Sequence, residues 1–69
     1  MIGNLSRTQI ELAIHEWIVG RNAERNRQIL KRRLIDGICY EALAEEFDLS
    51  SKQIQNICYK GTKELLQHM

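Results

Sequence analysis

Apolar residues return every three or four positions along this chain, from Ile10 to Leu65, and no proline interrupts them. That rhythm is the signature of amphipathic helices, and no period-two alternation runs long enough to make a strand. With only 69 residues the constraint is severe. A domain of this size buries roughly 60% of the surface its unfolded chain exposes, so every helix must commit its apolar stripe to one shared core. The expectation is a single small all-α domain of four helices without winged elements. A two-domain enzyme with an interdomain cleft is excluded.

Composition narrows the class further. Apolar residues at 43% and charged residues at 28% describe a globular chain, not a disordered or membrane-spanning one. No apolar run approaches the roughly 18 residues of a membrane span. The opening Met1-Ile2-Gly3-Asn4 lacks the charged-then-apolar layout of a secretory signal. Two cysteines, Cys39 and Cys58, are too few for a disulfide framework. These features point to a reduced, soluble, cytoplasmic protein.

The net charge is +1, yet its distribution is uneven. Residues 21–33 carry six basic side chains against Glu24, residues 34–50 carry five acids and no base, and residues 51–69 carry three lysines against Glu64. Two basic segments flanking an acidic one allow a positive face on a nearly neutral molecule. The same pattern also suits a solvated surface of internal ion pairs.

Local signals place the helices. Ser6 and Gln9 have capping-box spacing, and Leu5 with Ile10 has the spacing of a hydrophobic staple. Ile10, Ile14, Trp17 and Ile18 then share a face until Gly20 offers a stop, with Leu12 and Val19 on the other side. A second helix starts after Asn22 as N-cap and runs to Asp36, with Gly37 beyond its end. Ala23, Leu30 and Leu34 face inward; Arg21, Arg25, Gln28 and Arg32 project outward. The third helix covers Tyr40 to Phe47, with Leu43, Ala44 and Phe47 on its buried side. Asp48 and Leu49 break it, and the fourth opens at Ser50, where Ser50–Gln53 and Leu49–Ile54 repeat the capping-box and staple spacings. Ile54, Ile57, Cys58, Gly61 and Leu65 make its apolar stripe, opposite Lys52, Asn56, Tyr59, Lys60 and Lys63.

Helices three and four with the turn between them read as a helix-turn-helix. Close crossing asks for a small residue at the contact, which Ala44 supplies; the sharp turn asks for positive φ, which falls to Asp48 where glycine is usual. Leu43, Phe47, Leu49, Ile54 and Ile57 sit at the offsets that pin the fourth helix to the third. Its first turn then projects outward and fits a major groove about 12 Å wide.

The run from Ala23-Glu24-Arg25 through the basic helix to Gly37-Ile38-Cys39-Tyr40-Glu41-Ala42-Leu43-Ala44-Glu45, continuing through Ser50-Ser51-Lys52-Gln53-Ile54-Gln55-Asn56-Ile57, resembles the fourth conserved region of bacterial sigma factors. The resemblance covers residues 22–67, leaving 1–21 as an added packing helix in one 1–69 domain. The DNA-binding domains of two-component regulators share much of the pattern. The chain departs from it at Arg21-Asn22, where leucine–proline is usual, and at Cys39, where a small hydroxyl residue normally caps the helix. It departs again at Gly61, inside the recognition helix, at a cost of about 0.5–1 kcal/mol relative to alanine. No room is left for the region that melts promoter DNA, so a complete sigma factor is not expected.

The resemblance implies that Ser51, Lys52, Gln55 and Asn56 meet base edges in duplex DNA. Glutamine and asparagine pair bidentately with adenine, and lysine reaches guanine acceptors. It implies backbone phosphate contacts for Tyr40, Ser50, Lys60 and Lys63, aided by the helix amino terminus. Arg25, Lys31 and Arg32 either grip the backbone or touch RNA polymerase, and Tyr59 either meets phosphate or is simply exposed. The plainer alternative for Gln55 and Asn56 is that they are ordinary solvated polar residues.

No catalytic reading survives. His15-Glu16 begins a zinc-protease pattern, but Val19 stands where the second histidine is required. Cys39, Cys58 and two scattered histidines complete no zinc set, so neither metal nor cofactor is expected. The sequence therefore points to a non-enzymatic, sequence-specific transcriptional regulator with duplex DNA as partner and no membrane or small-molecule substrate. Modules this small bury only roughly 600–1,000 Å² on DNA, which suggests either polymerase attachment or a homodimer through Leu12, Val19 and Ile35. The competing function is an adaptor to polymerase or sigma factor that uses the acidic 36–48 segment for protein contact.

Overall fold

The computed structural model describes residues 6–68 and consists of four helices, with no strand among those residues. They are α1 (Arg7–Trp17), α2 (Ala23–Leu34), α3 (Tyr40–Phe47) and α4 (Ser51–His68). The small all-α class and the order of the elements follow the sequence. The Leu5 half of the first staple lies outside the described residues.

The starts of α1 and α4 have a local cause. The Ser6 hydroxyl accepts from the Gln9 amide at 3.2 Å, and the Gln9 side chain accepts from the Ser6 amide at 2.9 Å. Ser50 and Gln53 repeat this exchange at 3.1 and 3.0 Å. Two donors that would otherwise be orphaned are satisfied at each of these two starts. Replacing Ser50 with alanine removes the hydroxyl acceptor and is expected to lower stability by about 1 kcal/mol, read as a lower urea midpoint at unchanged slope.

The ends differ more from expectation. α1 stops at Trp17, three residues before Gly20, because Ile18 turns extended and drops its side chain into the core. The Arg27 Nε donates to the Ile18 carbonyl at 2.8 Å, which satisfies that broken end from the neighbouring helix. Asn22 does occupy the N-cap position of α2, but through a left-handed backbone (φ 62°) and with no side-chain cap. α2 ends at Leu34 and not at Asp36. Gly37 at φ 70° then reverses the chain, so that the Ile38 amide donates to the Arg32 carbonyl at 3.1 Å and Arg33 donates back to the Ile38 carbonyl at 3.1 Å.

The core joins Ile10, Ala13, Ile14 and Ile18 to Ile29 and Leu30 of α2, Leu43 and Ala44 of α3, and Ile54, Cys58 and Leu65 of α4. α4 is the hub, packing on all three other helices and most extensively on α2. Ile29 is fully buried although the sequence pattern did not place it inside, whereas Ala23 and Leu34 are only half-buried. The reason is geometric. α2 touches α1, α3 and α4, so it buries a broader face than a single stripe. Trp17 docks α1 onto α4 by stacking on His68, with ring centroids 3.8 Å apart and planes 4° from parallel.

Gly61 changes meaning in three dimensions. A β-carbon there would collide with Cδ1 and Cδ2 of Leu30, which is itself fully buried. The glycine that looked like a helix defect is the point at which α4 lies against α2 with nothing between.

Candidate nucleic-acid interface

The connection between α3 and α4 is three residues long. Asp48 takes the left-handed conformation at φ 56°, the Leu49 amide donates to the Ala44 carbonyl at 2.9 Å, and Ser50 caps α4. An aspartate tolerates this backbone better than most residues because its short side chain is polar. Leu43 and Ala44 are buried on α3 and Ile54 on α4, with Phe47, Leu49 and Ile57 packed half-buried around them. The apolar positions expected to pin the two helices together do so.

With its apolar stripe turned inward, α4 presents Lys52, Gln55, Asn56, Tyr59, Lys60 and Lys63 to solvent, and Ser50 is exposed just ahead of them. Ser51 is half-buried, so it reaches outward less than the residues after it. Among the described residues no carboxylate lies within 4.0 Å of Lys52, Lys60 or Lys63. The first turn of α4 holds no acid. The positive end of the helix dipole and three uncommitted ammonium groups therefore act on the same side of the molecule.

Lys31 and Arg32 of α2 are not brought together with that face, whereas Arg33 lines one cleft with Tyr59 and Lys63. Arg32 is committed to acids, its Nε 2.8 Å from Glu46 and an Nη 4.0 Å from Asp36. Arg25 is half-buried, with its Nε donating to the Asn26 side chain at 3.3 Å. Lys31 is exposed, but with Arg32 it borders a groove lined by Arg7, Glu11 and Asp36, to which α4 contributes no residue. Tyr40 is half-buried against the core, with the Arg33 guanidinium 4.3 Å above its ring. The uneven charge of the sequence is thus partly spent internally, through pairs between the 21–33 and 34–50 segments.

Cys39 is exposed and Cys58 buried, both as free thiols. Burial pushes the Cys58 thiol up, partly offset by the Arg33 charge, which holds it neutral at ordinary pH. Among the described residues no three histidine, cysteine, aspartate or glutamate side chains come together to hold a metal, and no helix is long and apolar enough to cross a membrane. Of the three residues expected at a homodimer contact, Leu12 and Val19 are exposed, but Ile35 is half-buried against the core. Leu66, missed in the sequence because it adjoins the buried Leu65, is exposed instead.

Comparison with protein-family models, with curated proteins and with solved structures finds no match to this chain.

Proposed function

We propose that the chain is a cytoplasmic, non-enzymatic, sequence-specific DNA-binding regulator of transcription, similar to the fourth conserved region of sigma factors, with α3 and α4 as a helix-turn-helix. One observation carries this reading. The amino-terminal half of α4 is held by a buried apolar back and a short capped turn, and its exposed front is Lys52, Gln55 and Asn56. Those side chains have the donors and acceptors that duplex base edges require. Lys60 and Lys63, one and two turns further on, are free to neutralise phosphates.

A second reading has its own support. Glu41 and Glu45 on α3 are exposed, and such carboxylates suit a contact with a basic protein surface such as polymerase or a sigma factor.

Salt separates the two. As a DNA binder the protein is expected to hold short duplexes at low salt, losing affinity with a log–log slope of about −0.9 for each phosphate contact. With Lys60 and Lys63 on phosphates, the slope is about −2. No duplex binding at 20–50 mM salt (roughly the range where such contacts are strongest) would favour the adaptor.

A further inference from the structure

A cleft of about 710 Å³ opens between the end of α2, the start of α3 and the second half of α4. Its size falls within the roughly 300–1,000 Å³ typical of small-molecule sites. Leu34, Cys58 and Leu66 provide apolar wall, and Tyr40 and Tyr59 add aromatic surface. Tyr59 and Leu66 are two of the four large apolar side chains most exposed among the described residues, at 69% and 46%, and both border this one cleft. Two cations, Arg33 and Lys63, stand in its lining, and among the described residues no carboxylate does. Arg33 is fixed in place, since it donates to the Ile38 carbonyl at 3.1 Å and lies over the Tyr40 ring at 4.3 Å.

We propose that this cleft binds a small amphipathic organic anion, an aryl or medium-chain acyl carboxylate or sulfonate. The apolar body lies against Leu34, Tyr59 and Leu66, and the anionic head meets Arg33 and Lys63. An apolar wall selects for a hydrocarbon body, because covering Tyr59 and Leu66 removes water from surface the fold leaves bare. Two cations without a compensating acid select the sign of the head group. Fixing Arg33 beforehand reduces the ordering cost of binding. Neither feature alone defines a ligand; their meeting in one concave site does.

The test uses the free chain without DNA, so its outcome is independent of the regulatory reading. Anilinonaphthalene sulfonate serves as fluorescent probe, with amide chemical shifts to locate it. The expected result is saturable binding of one probe per chain, with shifts confined to Leu34, Cys58, Tyr59, Thr62 and Leu66. Octanoate should displace the probe, octanol and octylammonium should require at least tenfold higher concentration, and inorganic phosphate should not displace it. Lys63→Glu and Leu66→Asp, both at exposed positions, should each weaken the probe tenfold or more while helical content and thermal midpoint stay unchanged. The proposal is overturned by non-saturable binding, by octylammonium competing as well as octanoate, or by phosphate competing as well as octanoate, which would mark a plain phosphate site. It is also overturned by both variants binding as before, or by sedimentation showing this face closed by a second copy of the chain.

Discussion

Replacing Gly61 with valine lowers the stability of the fold by about 2 kcal/mol, the middle of the range for overpacking a filled core. On helix propensity alone the sign would be opposite, since glycine in a helix interior is less favourable than valine by a few tenths of a kcal/mol. Packing wins because the new β-carbon meets the δ-carbons of Leu30, and Leu30 has no exposed surface toward which to retreat. For a domain this small each kcal/mol moves the midpoint by about 4–8 °C, so the loss amounts to roughly 8–16 °C. The single tryptophan, Trp17, stacked on His68 across α1 and α4, reports the transition by fluorescence. The same contact predicts non-additivity. Leu30→Ala alone opens a cavity and costs about 2–5 kcal/mol, whereas in the Gly61→Val background part of that space is refilled. The double variant should therefore be more stable than the sum of the two losses, by about 0.5–3 kcal/mol. Strict additivity, or a neutral Gly61→Val, would mean that α2 and α4 do not meet in this way.

That contact also marks where the sequence was legible and where it was not. Both capping boxes, the bounds of α3 and the left-handed Asp48 were readable because each depends on residues within four positions of one another. The stripe Ile54, Cys58, Gly61, Leu65 was readable from its period. The purpose of Gly61 was not, because Leu30 lies 31 positions earlier and nothing local announces it. Ile29 escaped for a related reason: its burial depends on how many neighbours α2 acquires, which periodicity does not encode. The basic run in α2 misled in part. Sequence counts charges, but only the fold brings Arg32 onto Glu46. The apolar cleft beside α4 likewise draws on three helices and had no sequence signature.

On the proposed DNA surface, Lys52→Ala and Asn56→Ala are each expected to lower affinity for a duplex selected from a random pool by about tenfold to a hundredfold. The range follows from roughly 1–3 kcal/mol of discrimination for each good base contact. Both side chains are exposed, and Ile54 and Cys58 hold the helix from behind, so stability should change by less than about 0.5 kcal/mol. Lys63→Ala should behave differently. A phosphate contact carries no sequence information, so affinity falls alike for selected and unrelated duplexes, and the salt slope drops by about one. The contrast between sequence-dependent loss at Asn56 and uniform loss at Lys63 distinguishes base reading from simple attraction.

The central claim is that the outward front of α4 is the part of this molecule that touches DNA. Amide chemical-shift mapping during titration with a selected duplex tests it most directly. The account predicts shifts concentrated at Ser50, Lys52, Gln55, Asn56 and Lys60, with Leu12 and Glu16 on the far side of α1 unmoved. Shifts centred on Glu41 and Glu45, or a spectrum that duplex leaves unchanged at low salt, would contradict it.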